Sequence, residues 1–199
     1  MMVLGLALLS YVGVEYGQMF WAQRALERKW SDQQHARAQH RPGPTPAALA
    51  DDGLTRLSIP KIDLQAIVVE GTSNHSLKLG PGHMKDTPAP GEVGNSVISA
   101  HRDTFFRHIY ELQKGDEIQV ERGGRTYRYA VVSKHIVDPN DMSVVKPSKD
   151  SRLTLITCYP TYYIGPAPNR LIVTSTLITD SASSPPASVE NASQVSVEH

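Results

Sequence analysis

The middle of the chain is built from short runs in which apolar and polar residues alternate with the two-residue period of β-strands. These runs, rich in Val, Ile and Thr, are LTRLSIP, LQAIVVEG, NSVISAH, DEIQVERGGRTYRYAVVSKHIV, RLTLITC and RLIVTSTL, between Leu54 and Leu177. Gly123-Gly124 predicts a two-residue hairpin turn inside the longest run. Many strands without a long amphipathic helix predict a mainly β fold. We expect a closed or nearly closed barrel, because closure removes exposed strand edges.

One run in the body has a different character. The stretch FFRHIYELQKG predicts a single short helix that ends near Gly115.

On either side of the body the alternation of apolar and polar residues is lost. Residues 31–52 are polar and then rich in Pro and Ala, which is typical of a linker. Residues 180–199 are rich in Ser and without periodicity, which predicts a disordered tail. The folded domain is therefore expected over residues 53–179.

The N-terminal segment is apolar and carries no charge over residues 1–14, after which Glu15 and Gln18 interrupt the run. Fourteen helical residues cover roughly 21 Å, short of the roughly 30 Å of hydrocarbon in a bilayer. We nevertheless predict a membrane-anchor helix over residues 1–30, with the hydrophobic region of a signal peptide as the alternative. Basic residues follow this run and none precedes it. Taken literally, that bias would place the body in the cytoplasm.

Charge and cysteine content narrow the range of functions. Lys+Arg and Asp+Glu both number 20, so the chain lacks the basic surplus that nucleic-acid binding needs. The single cysteine excludes an internal disulfide and a CxxC zinc site. We therefore expect neither nucleic acid nor a cofactor as a partner.

The single cysteine, Cys158, stands where the strand run LTLITC gives way to a loop. A lone cysteine is usually a buried hydrophobe. As a nucleophile it would need solvent access, a proton donor for the leaving group and a stabiliser for the oxyanion. His101 ends the run NSVISAH, and Arg170 begins the run after the loop YPTYYIGPAPN. All three residues fall at strand ends, which can meet at one mouth of a barrel.

Three stretches resemble the sortase family, most of all its class D members. They are SIPKIDLQAIVVEGT, LKLGPGHMKDTPAPGEVGNSVISAHRDTFFRHIYELQKGDEI and LTLITCYPTYYIGPAPNRLIVTSTL. The resemblance implies an eight-stranded sortase-type β-barrel with one or two short helices, preceded by an N-terminal membrane helix. It implies that Cys158 is the nucleophile, His101 the general acid/base and Arg170 a holder of substrate and oxyanion. It assigns Thr157 and Asn95 to substrate binding, Asn95 mainly by shaping the loop beside the histidine.

The resemblance also implies a reaction and its partners. The enzyme would cleave an LPxTG-like sorting signal through a thioacyl intermediate. It would transfer the acyl group to an amine of the cell envelope or of a pilin. It would sit in the cell membrane by a single pass, contacting lipid through the N-terminal helix, with its catalytic domain outside the cytoplasm. We give this topology precedence over the literal charge bias.

Other features leave alternatives open. Calcium-dependent sortases carry an acidic cluster beside the groove, whereas Asp63, Glu70 and Glu92 are scattered here, so no metal is expected. An L,D-transpeptidase-like acyltransferase of the cell wall is one rival, although its Ser-x-Gly-Cys signature is replaced here by Leu-Ile-Thr-Cys. A barrel that binds a sorting signal without cutting it is the other.

Overall fold

Eight strands close into one barrel within residues 2–39, 54–162 and 165–182, the parts of the chain that the computed structural model describes. Their order around the barrel is β1-β2-β3-β4-β7-β8-β6-β5. The strands are β1 Thr55–Ile59, β2 Leu64–Glu70, β3 Gly82–His83, β4 Gly94–Ser99, β5 Glu117–Arg122, β6 Arg125–Val137, β7 Ser151–Tyr159 and β8 Asn169–Ala182. The helices are α1 Met2–Gln39 and α2 Asn74–Leu79, with 3₁₀ turns at Pro60–Ile62, Ile109–Glu111 and Met142–Val145.

The apolar alternation of the strands separates a core face from an outer face. In β7, Leu153 and Leu155 are fully buried in the core, together with Tyr129 of β6 and Phe106 of the loop after β4. Each such side chain contributes about 1.5–3 kcal/mol by leaving water. Most neighbours in the barrel are antiparallel, but β2 pairs with β3 and β4 pairs with β7 in parallel. The predicted mainly β, closed-barrel fold is therefore confirmed.

The hairpin between β5 and β6 follows the prediction closely. Gly123 and Gly124 have φ angles of +58° and +75°. Both values lie in the left-handed region, which a type I′ turn requires at its two central positions and which glycine adopts without strain. In contrast, β3 was not predicted, because its two residues are too few to show any periodicity.

The predicted short helix ending near Gly115 is wrong. This stretch contains turns and one 3₁₀ turn, linked by hydrogen bonds between residues three apart, such as Ile109 N to Phe106 O at 3.3 Å and Leu112 N to Ile109 O at 3.2 Å. The buried residues Phe106, Ile109 and Leu112 also recur every three positions. A three-residue spacing faces one side in a 3₁₀ turn but drifts around an α-helix. The short α-helix in the described part of the body is instead α2, capped by the Ser73 hydroxyl, which accepts from Ser76 N at 3.1 Å.

The N-terminal helix differs from the predicted anchor. Among the described residues, no helix is both long enough and apolar enough to cross a membrane. The predicted membrane helix is thus not supported, and the polar residues Glu15 and Gln18 are what interrupt its apolar run. The helix also continues to Gln39, into the predicted linker 31–52. Residues 40–53 and 183–199, which hold the rest of that linker and most of the predicted tail, lie outside the described residues.

The second half of α1 packs against the barrel. Gln23 Nε2 donates to Ile67 O at 3.1 Å and to Leu79 O at 2.7 Å, and Ile67 N donates to Gln23 Oε1 at 2.9 Å. The side-chain amide thereby satisfies the edge of β2 beyond its pairing with β3, which involves only Val69 and Glu70. Trp30 is 3% exposed. The contacts make this part of α1 a component of the domain.

Candidate active site

Cys158 and Arg170 lie side by side at one end of the barrel. Cys158 is the last residue but one of β7, and the antiparallel register pairs it directly with Arg170, the second residue of β8. Opposite residues in an antiparallel pair have Cβ atoms about 4.5–5.5 Å apart and project from the same face. The register therefore brings the thiol and the guanidinium to one face, although eleven residues of sequence lie between them.

His101 reaches the same level from the other side of β7. The parallel register of β4 and β7 pairs Ser99 with Ile156, so the residue two positions after Ser99 lies level with Cys158. Ala100 N donates to Ile156 O at 3.2 Å, and the Thr157 hydroxyl donates to Ala100 O at 2.8 Å. These bonds hold the backbone directly before the imidazole against the strand of the cysteine.

The alternation of each strand puts the three side chains on the outer face. In each segment the residues of opposite parity lie in the core. They are Ile98 and Ala100 in and after β4, Leu153 and Leu155 in β7, and Leu171 and Val173 in β8. Because side chains alternate along a strand, Cys158 and Arg170 project outward, and His101 continues the phase of Ser99, the last residue of β4. All three are half-buried. The cysteine is thus accessible to a substrate, as a nucleophile requires.

The guanidinium of Arg170 is held by backbone carbonyls of the residues just before it. Nη1 donates to Asn169 O at 3.0 Å and to Ala167 O at 3.4 Å. A guanidinium has five N–H groups in a planar fork, so these contacts orient the group without using all of its donors. Such a fixed cation beside a thiol is suited to stabilising a developing oxyanion.

The two residues predicted to bind substrate occupy different positions. Thr157 is 1% exposed and its hydroxyl is bonded to Ala100 O, so it links the strands of Cys158 and His101. Asn95 pairs with the start of β7, six residues from Cys158, or roughly 20 Å along the strand. The structure brings Thr157 next to Cys158 and to the backbone before His101, and it does not bring Asn95 there.

Asn95 instead anchors the loop 138–150, which connects β6 to β7. It is 3% exposed. Its Nδ2 donates to Val144 O at 2.9 Å and to Lys146 O at 3.1 Å, while its Oδ1 accepts from the Thr154 hydroxyl at 2.7 Å. A cavity of about 380 Å³ lies between this loop and the outer face of the sheet, and its lining includes Asn95, Ser133, Ser143, Lys146, Arg152 and Thr174.

The loop 138–150 also carries a charged cap. Ser143 N donates to Asp141 Oδ1 at 2.9 Å, at the start of the 3₁₀ turn Met142–Val145. The hydrogen bonds from Ser143, together with the positive charge of Lys146, lower the pKa of Asp141. The folded loop therefore favours the ionised form of the Asp141 carboxylate.

Arg102 is a site residue that the sequence reasoning did not single out. It follows His101 directly, and its Nη1 donates to Pro160 O at 3.0 Å while its Nη2 donates to Gly165 O at 2.6 Å. The only sequence signal was its place in the motif SAHRD, next to the histidine.

The acidic residues considered for calcium are dispersed. Glu70 bonds His83 Nδ1 at 3.2 Å, and Glu92 lies 3.5 Å from Arg122 Nη1. Within the described ranges, no three side chains of the kinds that ligate metals come together.

A closed β-barrel with a cysteine beside an arginine at one end is the arrangement of a cysteine enzyme. Comparisons with known proteins identify the family. The sortase-domain family matches residues 57–178, more than half of the chain, so this chain belongs to the sortase family. Sortase D of Bacillus subtilis is 42% identical over 118 residues, covering 59% of this chain and 60% of that protein. Sortase A of Listeria monocytogenes is 32% identical over 106 residues, covering 51% of this chain and 47% of that protein.

Solved structures agree on the fold. A Clostridium perfringens sortase D5 transpeptidase aligns with a TM-score of 0.63 and 24% identity, over 82% of this chain and 99% of that one. Sortase E1 of Streptomyces coelicolor, solved with a tripeptide in its active site, aligns with a TM-score of 0.58 and 27% identity, over 64% of this chain and 89% of that one. The chain spans about half to three fifths of the length of the curated relatives it matches. The predicted family is confirmed.

Proposed function

We propose that this sortase is a cysteine transpeptidase in which Cys158 is the nucleophile, His101 the general acid/base and Arg170 the oxyanion stabiliser. The observation that carries the proposal is the strand register. It pairs Cys158 with Arg170 and, through the parallel partner β4, sets His101 level with the thiol on the same outer face.

The substrate is an LPxTG-like sorting signal. The Cys158 thiolate attacks the carbonyl carbon of the Thr–Gly or Thr–Ala bond, and the carbonyl electrons move onto an oxyanion that accepts hydrogen bonds from Arg170. When the intermediate collapses, the C–N bond breaks and His101 gives its proton to the leaving amine. A thioester between the threonine carbonyl and Cys158 remains.

An amine acceptor completes the reaction. Its nitrogen attacks the thioester carbonyl and loses a proton to His101, the C–S bond breaks, and the new amide leaves a thiolate and a protonated histidine as at the start. With no amine present, water takes its place and the product is a free carboxylic acid. We propose an amine of the cell envelope or of a pilin as the acceptor. We place the reaction outside the cytoplasm, where such acceptors lie.

Thr157 and Asn95 contribute to this function by supporting the groove. Because the Thr157 hydroxyl is bonded to Ala100 O, its effect on the substrate is exerted through the position of His101. The Asn95 amide bonds the loop 138–150, so it shapes a wall of the groove at a distance from the scissile bond.

The test is a panel of LPxTG-like peptides that vary the third and fifth residues, incubated with the protein and followed by intact-mass spectrometry. The full chain is used, because α1 makes hydrogen bonds with the barrel. We expect an acyl adduct on Cys158 with at least one peptide, and transfer to added triglycine. Cys158→Ala is the matched control and should form no adduct. If peptides bind but none is cleaved or attached, the chain is a binding module and the proposal fails.

A further inference from the structure

We infer that Arg102 is a positioning residue of this active site, which ties the histidine to the loop between the cysteine and Arg170. The inference rests on the proposed function, since it concerns the same three groups. It assigns a task to a side chain that the reaction scheme itself does not use.

The geometry is that of a clamp between two segments. Arg102 follows His101 in the chain, and its two terminal nitrogens donate to two separate carbonyls, Pro160 O at 3.0 Å and Gly165 O at 2.6 Å. Pro160 lies two residues after Cys158, and Gly165 lies five residues before Arg170. The Arg102 guanidinium therefore bonds two backbone carbonyls in the segment that connects the nucleophile to the oxyanion stabiliser.

The clamp acts where the sheet ends. Strand β4 ends at Ser99, and the last bonds from its end to β7 are made by Ala100 with Ile156 and Thr157. His101 follows these bonds on the chain after β4, and Cys158 follows them in β7. Arg102 adds a second link beyond both residues, so the distance between imidazole and thiol is fixed by one link before them and one link after them.

A second arginine extends the same arrangement. Arg170 Nη1 donates to Ala167 O of the same loop and to Asn169 O at the start of β8. Two guanidinium groups thus bond four backbone carbonyls between Cys158 and Arg170. A displacement of the loop from Arg102 would also shift the carbonyls that orient Arg170.

Only a forked cation fits this task. Arginine presents two terminal nitrogens in a rigid plane, whereas lysine offers one compact ammonium on a flexible stem. Lysine can neutralise the same dipoles but cannot hold two carbonyls at fixed positions. Because Arg102 is half-buried, water can hydrate Pro160 O and Gly165 O after its removal. The loss should therefore fall on geometry and activity more than on folding.

The experiment compares Arg102→Met, Arg102→Lys and the wild type as full chains, with the panel peptide that the wild type cleaves fastest. Arg107→Met is the matched control, since Arg107 is an exposed arginine five residues away. Acyl-enzyme formation in a single turnover, kcat and KM are measured. Alkylation of Cys158 by iodoacetamide and thermal unfolding are measured alongside.

We expect Arg102→Met to slow acylation roughly 10- to 100-fold, the scale for misplacing reacting groups by about 1 Å. The loss should lie in kcat, with KM changed less than about threefold, because the groups that move are the reacting ones. Arg102→Lys should recover part of the rate, and Arg107→Met should match the wild type. Iodoacetamide should alkylate all variants at similar rates, since a small reagent needs neither His101 nor the loop.

Wild-type acylation rates in Arg102→Met would overturn the inference while leaving the proposed function intact. An equal fall in alkylation and acylation would also overturn it, since Arg102 would then act on the thiol itself. If Arg102→Met does not fold, the result for Arg102→Lys decides. If neither variant folds, Arg102 is needed for stability and the inference fails. If the wild type forms no acyl adduct with any peptide of the panel, the proposed function fails instead.

Discussion

The two loops that flank the site are held by opposite kinds of anchor. The loop 138–150, between β6 and β7, is fastened by Asn95, a neutral amide that is 3% exposed and makes three hydrogen bonds. The loop 160–168, between β7 and β8, is fastened through Pro160 O and Gly165 O by Arg102 and through Ala167 O by Arg170, two charged side chains that are half-buried. Both anchors bond to backbone carbonyls, yet their surroundings differ.

This difference predicts different roles. Removal of the Asn95 amide deprives Val144 O, Lys146 O and the buried Thr154 hydroxyl of their partner, and each group left unsatisfied costs about 1–3 kcal/mol. Half-exposed carbonyls are rehydrated instead, so removal of an arginine costs little folding free energy. We therefore expect the loop 138–150 to matter most for stability and the loop 160–168 to matter most for chemistry.

Arg170→Ala should have the largest effect on the reaction. Removal of the cation beside Cys158 should lower peptide cleavage roughly 100-fold or more, equal to about 2.7 kcal/mol of transition-state stabilisation. Thermal unfolding should barely change, and iodoacetamide should still alkylate the thiol. Steady-state cleavage of the panel peptide measures the effect. Near-normal cleavage would remove Arg170 from the site.

The second change addresses the buried anchor. Asn95→Ala should lower the free energy of unfolding by about 2 kcal/mol, because it leaves Val144 O and Lys146 O unpaired beneath their loop. Urea denaturation measures the change. The folded fraction should still form the acyl adduct at a rate much nearer to the wild type than Arg170→Ala does. Unchanged stability would show that water reaches these carbonyls and would erase the contrast between the loops.

Thr154→Val supplies a graded control for the buried anchor. It keeps the shape of the side chain but removes the hydroxyl that donates to Asn95 Oδ1 at 2.7 Å. One lost hydrogen bond should cost about 1 kcal/mol. A loss equal to that of Asn95→Ala would mean that the orientation of the amide, and not its contacts with the loop, carries the stability.

The smallest effect concerns pH. The pKa of Asp141 is lowered by the hydrogen bonds from Ser143, so the folded loop favours the ionised carboxylate. This contribution is fully present above the ordinary aspartate pKa of about 4 and is lost as the pH falls through that value toward the lowered one. The amide NMR signal of Ser143 should move as the pH is lowered, and Asp141→Asn should remove the movement. Arg102 and Arg170, which bond the loop 160–168, keep their charge over this range, so that loop should show no matching step.

Part of the site could be read from residue types and strand ends. Cys158, His101 and Arg170 stand out because each is at the border of an apolar run and a loop, and the motif around them resembles a known family. The pairing of Cys158 with Arg170 could not be read in this way, because the register between strands depends on long-range packing. Arg102 was missed for the same reason, since its two carbonyl partners are about sixty residues away in sequence.

The mainly β barrel, the hairpin at Gly123-Gly124 and the three candidate residues at strand ends could be predicted from short stretches of the chain. Local periodicity, turn chemistry and residue type are enough for these features. The folded chain was needed to see that the stretch before Gly115 forms a 3₁₀ turn and that Gln23 of α1 pairs with the edge of β2. It was also needed to see that Asn95 supports a loop instead of meeting the cysteine. Each of these depends on a partner distant in sequence, and whether a polar group finds such a partner is a property of the folded chain.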